Sequence, residues 1–285
     1  MDLTWITPPP AGALRQAGAL LHDLDLIDGQ GRITAAGRQA AALGLHPRLG
    51  RMVMKARERG WLATAAVTAA ILEEGDPLGG ADPDFRDRLS AWAAWVSGTQ
   101  NELRRDAGRR IAWEAERIMR QAGFGEQTIR SADVDPSLAG RLLILAYPDR
   151  AAQRVGTGGV AKTARLVLAT GRGAWIKGAL GQEEFLVAAD LDGAETEARV
   201  FLAAPVSRTD IEGGLAGPVA TSLQFSWEGW TPKTRRELRV GRLLLGEKRG
   251  SVPSPDDIRR AVRERLDREG LDALPWNDAA RRFRA

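Results

Sequence analysis

The chain changes character at Asp149, and this constrains its fold more than any other feature. Before that point apolar residues recur at helical spacing. After it glycine is frequent, and β-branched and aromatic residues come in short runs between turn signals. Such a pattern fits neither a single helical bundle nor a single sheet. It reads as a multidomain α+β chain: N-terminal helices, a small β-barrel or sandwich, and a C-terminal helical tail. The 285 residues are enough for two or three modules, each with its own core.

Within the helical part, Leu14, Leu20, Leu21 and Leu24 share one face, and "LIDGQGRIT" interrupts the pattern. Asp28, Gly29 and Gly31 form a turn between Ile27 and Ile33, which predicts a small β-hairpin flanked by helices, the outline of a winged helix. Phe85, Leu89, Trp92 and Val96 make one buried stripe, and "EEGDPLGGADPDF" before it reads as a loop between helices. Leu138, Leu142 and Leu145 line a short helix that Pro148 ends. Beyond it, "RLVLAT", "AWIKG", "EFLVAADL", "ARVFLAAP", "TSLQFSW" and "LRVGRLLLG" are the expected strands. In "VPSPDD", Ser254 caps a helix with Pro255 in its first position and Asp257 in its first turn. Ile258, Val262 and Leu266 share a face, and Gly270 ends it.

Several functions are excluded or disfavoured by what the chain lacks. No apolar run is long enough for a transmembrane helix, and the N-terminus has no export pattern, so a cytoplasmic location is expected. Without cysteine there is no disulfide, thiolate zinc site or cysteine nucleophile. His22 and His46 sit in helical patterns without the partners of a triad or metal site, so no catalytic and no metal-binding residues are expected. Asp190 and Asp192 read as solvated turn residues.

The stretch "GTGGVAKTAR" comes within one residue of a phosphate-binding loop, with Ala161 where glycine is needed. Its context is wrong: no apolar strand leads in, and "ARLVLAT" after it reads as a strand, where a phosphate loop requires a helix. The glycines instead permit turns, and Arg150, Arg154, Lys162 and Arg165 are placed to neutralise nucleic-acid phosphates.

The formal charge of +4 rests mostly on arginine, whose fork suits phosphate. "KTRRELRVGRLLLGEKR" is a basic block on β structure that contributes Arg235, Arg236 and Arg239. Trp175, Phe225, Trp227 and Trp230 offer faces for base stacking or fill a barrel core.

Several stretches together resemble the C-terminal region of bacterial DEAH-type ATP-dependent helicases of the HrpB family. They are "PPPAGALRQAGALLHDLDLIDGQGRITAAGRQAAALGLHPRLGRMV", "AYPDRAAQRV", "LATGRGAWI", "FLVAADLDG" and "LPW". The resemblance covers nearly the whole chain. It implies a partial winged helix over 1–45, a helical ratchet domain over 46–148, an oligonucleotide-binding-like (OB-like) β domain over 149–250 and a family-specific tail over 251–285. It also implies single-stranded nucleic acid, RNA or DNA, as a partner, gripped by Arg150, Arg154, Arg165 and Arg172. The RecA-like ATPase lobes would be the other partner. Those lobes need a phosphate loop and a D-E-x-H box, and the chain has neither, so it is expected to bind no cofactor. ATP and magnesium would belong to lobes preceding Met1, and the chain alone would be catalytically silent. A stand-alone nucleic-acid-binding protein built from the same modules is the alternative.

Overall fold

The computed structural model describes residues 7, 9–80, 82–99, 103, 105–125, 127–156, 163–193, 197–213, 217–249, 253–271, 274 and 276. The chain divides into two compact units, Met1–Gly217 and Pro218–Ala285.

Among the described residues the first unit begins with seven α-helices: α1 (Ala11–Asp23), α2 (Ala35–Ala42), α3 (Pro47–Arg57), α4 (Leu62–Glu74), α5 (Phe85–Val96), α6 (Arg105–Gln121) and α7 (Ala139–Ala146). Their starts follow from capping chemistry. The Thr34 hydroxyl accepts from the Gly37 N–H at α2, His46 Nδ1 from the Arg48 N–H at α3, and the Asp84 carboxylate from the Arg86 N–H at α5. Helix α4 is buried around most of its circumference, as its run of alanine and threonine allows. The expected hairpin near residue 30 is a single antiparallel bridge, Ile27 to Ile33. Phe85, Leu89 and Trp92 of the predicted stripe are buried in α5, and Leu142 and Leu145 in α7.

Among the described residues five strands follow: β1 (Ala151–Arg154), β2 (Thr163–Leu168), β3 (Gly173–Lys177), β4 (Phe185–Leu191) and β5 (Glu197–Pro205). They close into a barrel in the order β1-β2-β3-β5-β4, with β1 returning to β4 and only the β3–β5 pair parallel. Its interior is filled by Ala152, Leu166, Leu168, Ala174, Ile176, Leu186, Ala188, Ala198 and Val200, every second residue along most strands. Strand β1 is a correction to the sequence reading, which saw no strand before the glycine-rich stretch. Ala151, Ala152, Gln153 and Arg154 have little intrinsic β preference, and pairing on both sides fixes them as a strand.

Helices and barrel are joined tightly. The Ala203 N–H donates to the Pro83 carbonyl at 2.8 Å, and Asp84 bridges Ala203. A Cβ at Gly140 of α7 would lie 1.8 Å from the Pro205 carbonyl oxygen, so this close approach requires glycine. Helix α8 (Arg208–Glu212) ends the unit's regular structure, with Arg141 of α7 paired to Asp210 at 2.9 Å.

The second unit holds an antiparallel sheet of β6 (Ala220–Glu228), β7 (Thr231–Val240) and β8 (Leu243–Arg249), followed by α9 (Pro255–Glu269). "TSLQFSW" and "LRVGRLLLG", expected beside the other strands, therefore make a sheet of their own. A closed barrel has no free edge on which further strands could pair. Helix α9 begins with the anticipated Ser254 cap, which with Asp257 forms a reciprocal capping box, and ends at Gly270. The Arg265 guanidinium lies 4.2 Å from the Trp230 ring centre and 5.0 Å from that of Trp227, and donates to the Gly229 carbonyl at 2.7 Å. These tryptophans are thus a seat for the helix and take no part in the barrel core.

Candidate nucleic-acid interface

Alternation along β2, β3 and β5 sends Leu166, Ala174, Ile176, Ala198 and Val200 inward, and it must send their neighbours out. The strand register then aligns three outward residues: Arg165 pairs with Trp175, and Trp175 with Arg199. Arg165 and Arg199 are exposed and Trp175 is half-buried. Two residues further along their strands, Lys177 and Phe201 extend the patch. The Arg199 guanidinium lies 5.5 Å from the centre of the Trp175 ring and 4.6 Å from that of Phe201, and Lys177 Nζ lies 5.6 Å from Trp175. The acid nearest Arg165 is Glu197, at 3.6 Å. The face thus combines cations that match phosphate with aromatic surface that matches bases.

The sequence reading named Arg165 and Trp175 of this patch and missed Lys177, Arg199 and Phe201. A signal was present: in "ARVFLAAP" Arg199 and Phe201 alternate with Val200 and Leu202, so they share the polar side of the strand.

The other predicted residues lie elsewhere. Arg150 belongs to the turn Pro148–Arg150, stacks on Tyr147 at 4.7 Å and donates to the Ala189 carbonyl at 2.8 Å. Burial and then the charge of Arg48 push its pKa down, and burial pushes that of Tyr147 up. It is a structural cation. Arg154 is half-buried on β1, and its Nε is buried without a hydrogen-bond partner. Arg172 sits half-buried at the β2–β3 turn, with Nη2 3.5 Å from the Asp192 carbonyl. Lys162 lies outside the described residues.

In the second unit, Arg235 and Arg239 both pair with the buried Glu237, at 3.0 and 2.8 Å, and Arg235 also pairs with Glu247 at 3.0 Å. Of that trio Arg236 is exposed and, among the described residues, forms no ion pair. Much of the basic block is therefore internally neutralised.

Beside the barrel face, a groove of about 490 Å³ runs between the strands and the loop joining α4 to α5. Lys177, Arg199 and Phe201 line it from the barrel, with Asp190 of β4, and Asp76, Gly79, Gly80 and Pro83 line it from the loop. Arg88, 1% exposed, holds this loop. Its Nε and Nη2 donate to the two Asp76 carboxylate oxygens at 3.1 and 2.8 Å, and its Nη1 donates to the Asp84 carbonyl at 3.0 Å. Asp76 also accepts from the Leu78 and Gly80 N–H groups at 3.0 Å each. Among the described residues no cluster of histidine, aspartate and glutamate could hold a metal ion, and no helix is long and apolar enough to cross a membrane.

No family model matches the chain. The ATP-dependent RNA helicase HrpB of Escherichia coli is 31% identical over 289 residues, which span 99% of this chain and 32% of that protein. The matched part is the C-terminal region of HrpB. A crystal structure of the E. coli DExH-box NTPase HrpB agrees with the fold at a TM-score of 0.69 and 29% identity, over 98% of this chain and 32% of that one. A second, of the E. coli DEAH/RHA helicase HrpB, gives 0.68 and 27% over 97% of this chain. The chain therefore spans about a third of the length of HrpB.

The structure gives two of the quoted landmarks one physical basis. Arg48 of "HPRL" makes a bidentate pair with Asp149 of "YPDR" at 2.6 and 3.0 Å, and donates to the Ala146 carbonyl at 3.1 Å. Its guanidinium also lies 5.2 Å from the Tyr147 ring centre, so Tyr147 carries Arg48 as well as Arg150.

Proposed function

We propose that this chain is the nucleic-acid-gripping region of an HrpB-like ATP-dependent helicase, and that a single strand lies across the outer β2–β3–β5 face of the barrel. In this reading residues 1–45 form a partial winged helix, 46–148 a ratchet domain, 149–250 contain an OB-like barrel, and 251–285 are a tail. ATP binding and hydrolysis belong to RecA-like lobes with which this region would work, and the chain itself supplies no catalytic group.

One observation carries the reading: an aromatic ring held in register between two exposed arginines on the outside of a small closed barrel. Five-stranded oligonucleotide-binding barrels present a strand on their β2–β3 face in the same manner. Phosphate contacts with stacking give affinity without a strict sequence code, which suits a protein that must hold and release many sequences. The likeness to HrpB supports the same conclusion.

The test is the affinity of the chain for unstructured 12-nucleotide RNA and DNA, with Trp175→Ala and Phe201→Ala as variants. Each lost stacking surface should weaken binding by about tenfold or more. Absence of binding by the wild type, or variants that bind as well as it does, would sink the proposal.

A further inference from the structure

Resting on that reading, we infer that the groove beside the barrel face is a base-reading subsite, in which Asp190 accepts a hydrogen bond from the exocyclic amino group of a nucleobase.

A β-bulge puts Asp190 there. The β4–β5 register shifts on both sides of Asp190, and Ala188 and Leu191, three positions apart, both pack on the barrel core. In an unbroken strand Asp190 would share the inward face of Ala188. The bulge turns it outward instead, into the groove lined by Lys177, Arg199 and Phe201. Among the described residues its carboxylate accepts no hydrogen bond and forms no ion pair. The other carboxylate of the groove, Asp76, is fully engaged by Arg88, Leu78 and Gly80. Arg150, close enough to feel the charge of Asp190, donates to the Ala189 carbonyl.

The chemistry narrows the ligand. A carboxylate repels phosphate, so in a site for a polyanion it fits only the base edge. It can only accept, so it favours the amino groups of cytosine, adenine or guanine over uracil or thymine, which present a carbonyl oxygen at the equivalent position and offer only the less accessible ring N3–H beside it. Lys177 and Arg199 remain for the phosphates on either side. Phe201, 40% exposed, and the apolar walls of Ile71, Leu72 and Pro83 shelter the ring. The volume of about 490 Å³ lies within the range of small-ligand sites and holds one base with room for its sugar.

The experiment compares 12-mers of cytidine and uridine on the full 285-residue chain at one salt concentration, for wild type and Asp190→Ala. The two bases have the same ring size and differ at this edge. The cytidine oligomer should bind the wild type about tenfold more tightly. Asp190→Ala should abolish the preference by weakening cytidine binding while leaving uridine binding unchanged or improved, because it removes the only acceptor offered to the amino group together with a charge that repels phosphate. Equal binding of the two by the wild type, or a preference that survives Asp190→Ala, would overturn the base-reading subsite. In either case a loss of both oligomers with Trp175→Ala would show that the barrel face still binds. Failure of the wild type to bind either oligomer would remove both readings together.

Discussion

At the scale of single residues, the arginines divide into those that hold the protein together and those that face outward. Arg48 is the clearest of the first kind: it is buried, paired with Asp149, and its partner lies 101 positions away. "HPRL" and "YPDR" were both legible as landmarks, but nothing in a linear sequence says that they touch. Arg150 illustrates the same limit, since its proximity to the glycine-rich stretch suggested phosphate while Tyr147 three positions earlier had already engaged it. Replacing Arg48 by Met, or Asp149 by Asn, should each cost about 2–4 kcal/mol of stability in urea unfolding, because either leaves its partner uncompensated. The double variant should cost less than the sum by about 1–3 kcal/mol. Additive losses would show that the pair is not coupled.

At the scale of elements, caps and stripes were readable and tertiary pairings were not. The Ser254 capping box and the Phe85, Leu89, Trp92 stripe depend on residues within a few positions of each other, so local spacing reveals them. Strand β1 depends on β2 and β4, and Arg88 is buried on α5 only because the loop before that helix folds back over it. That loop forms one wall of the groove, with Gly79 and Gly80 both at positive φ. Its Asp76 links it to pH. Burial pushes the Asp76 carboxyl up, but hydrogen bonds from Arg88, Leu78 and Gly80 outweigh burial and hold it below its ordinary value. The unfolded chain therefore binds this proton more readily than the folded one. The resulting stability is fully present above the ordinary aspartate pKa of about 4, and is lost as pH falls through the lowered value. Asp76→Asn should lower stability at neutral pH and flatten its decline below about pH 4, as followed by thermal unfolding across pH. An acid limb identical to that of the wild type would contradict this role.

At the scale of the whole molecule, the change of character at Asp149 did mark the passage from helices to strands. It did not reveal that the strands make two sheets in two compact units, because barrel closure is a property of pairing and not of any one strand. Closure also decides which residues face out together. That is why Arg165 and Trp175 could be named from sequence, while their alignment with Arg199 could not. On the proposed reading this aligned row holds the phosphates of a single strand. The most direct test is the salt dependence of single-stranded RNA affinity, measured for the wild type and for the double variant Arg165→Ala with Arg199→Ala. The wild type should lose affinity steeply as salt rises, and the slope of log affinity against log salt should shrink by about 0.7 for each arginine removed. A flat response in the wild type, or an unchanged slope in the variant, would contradict the account.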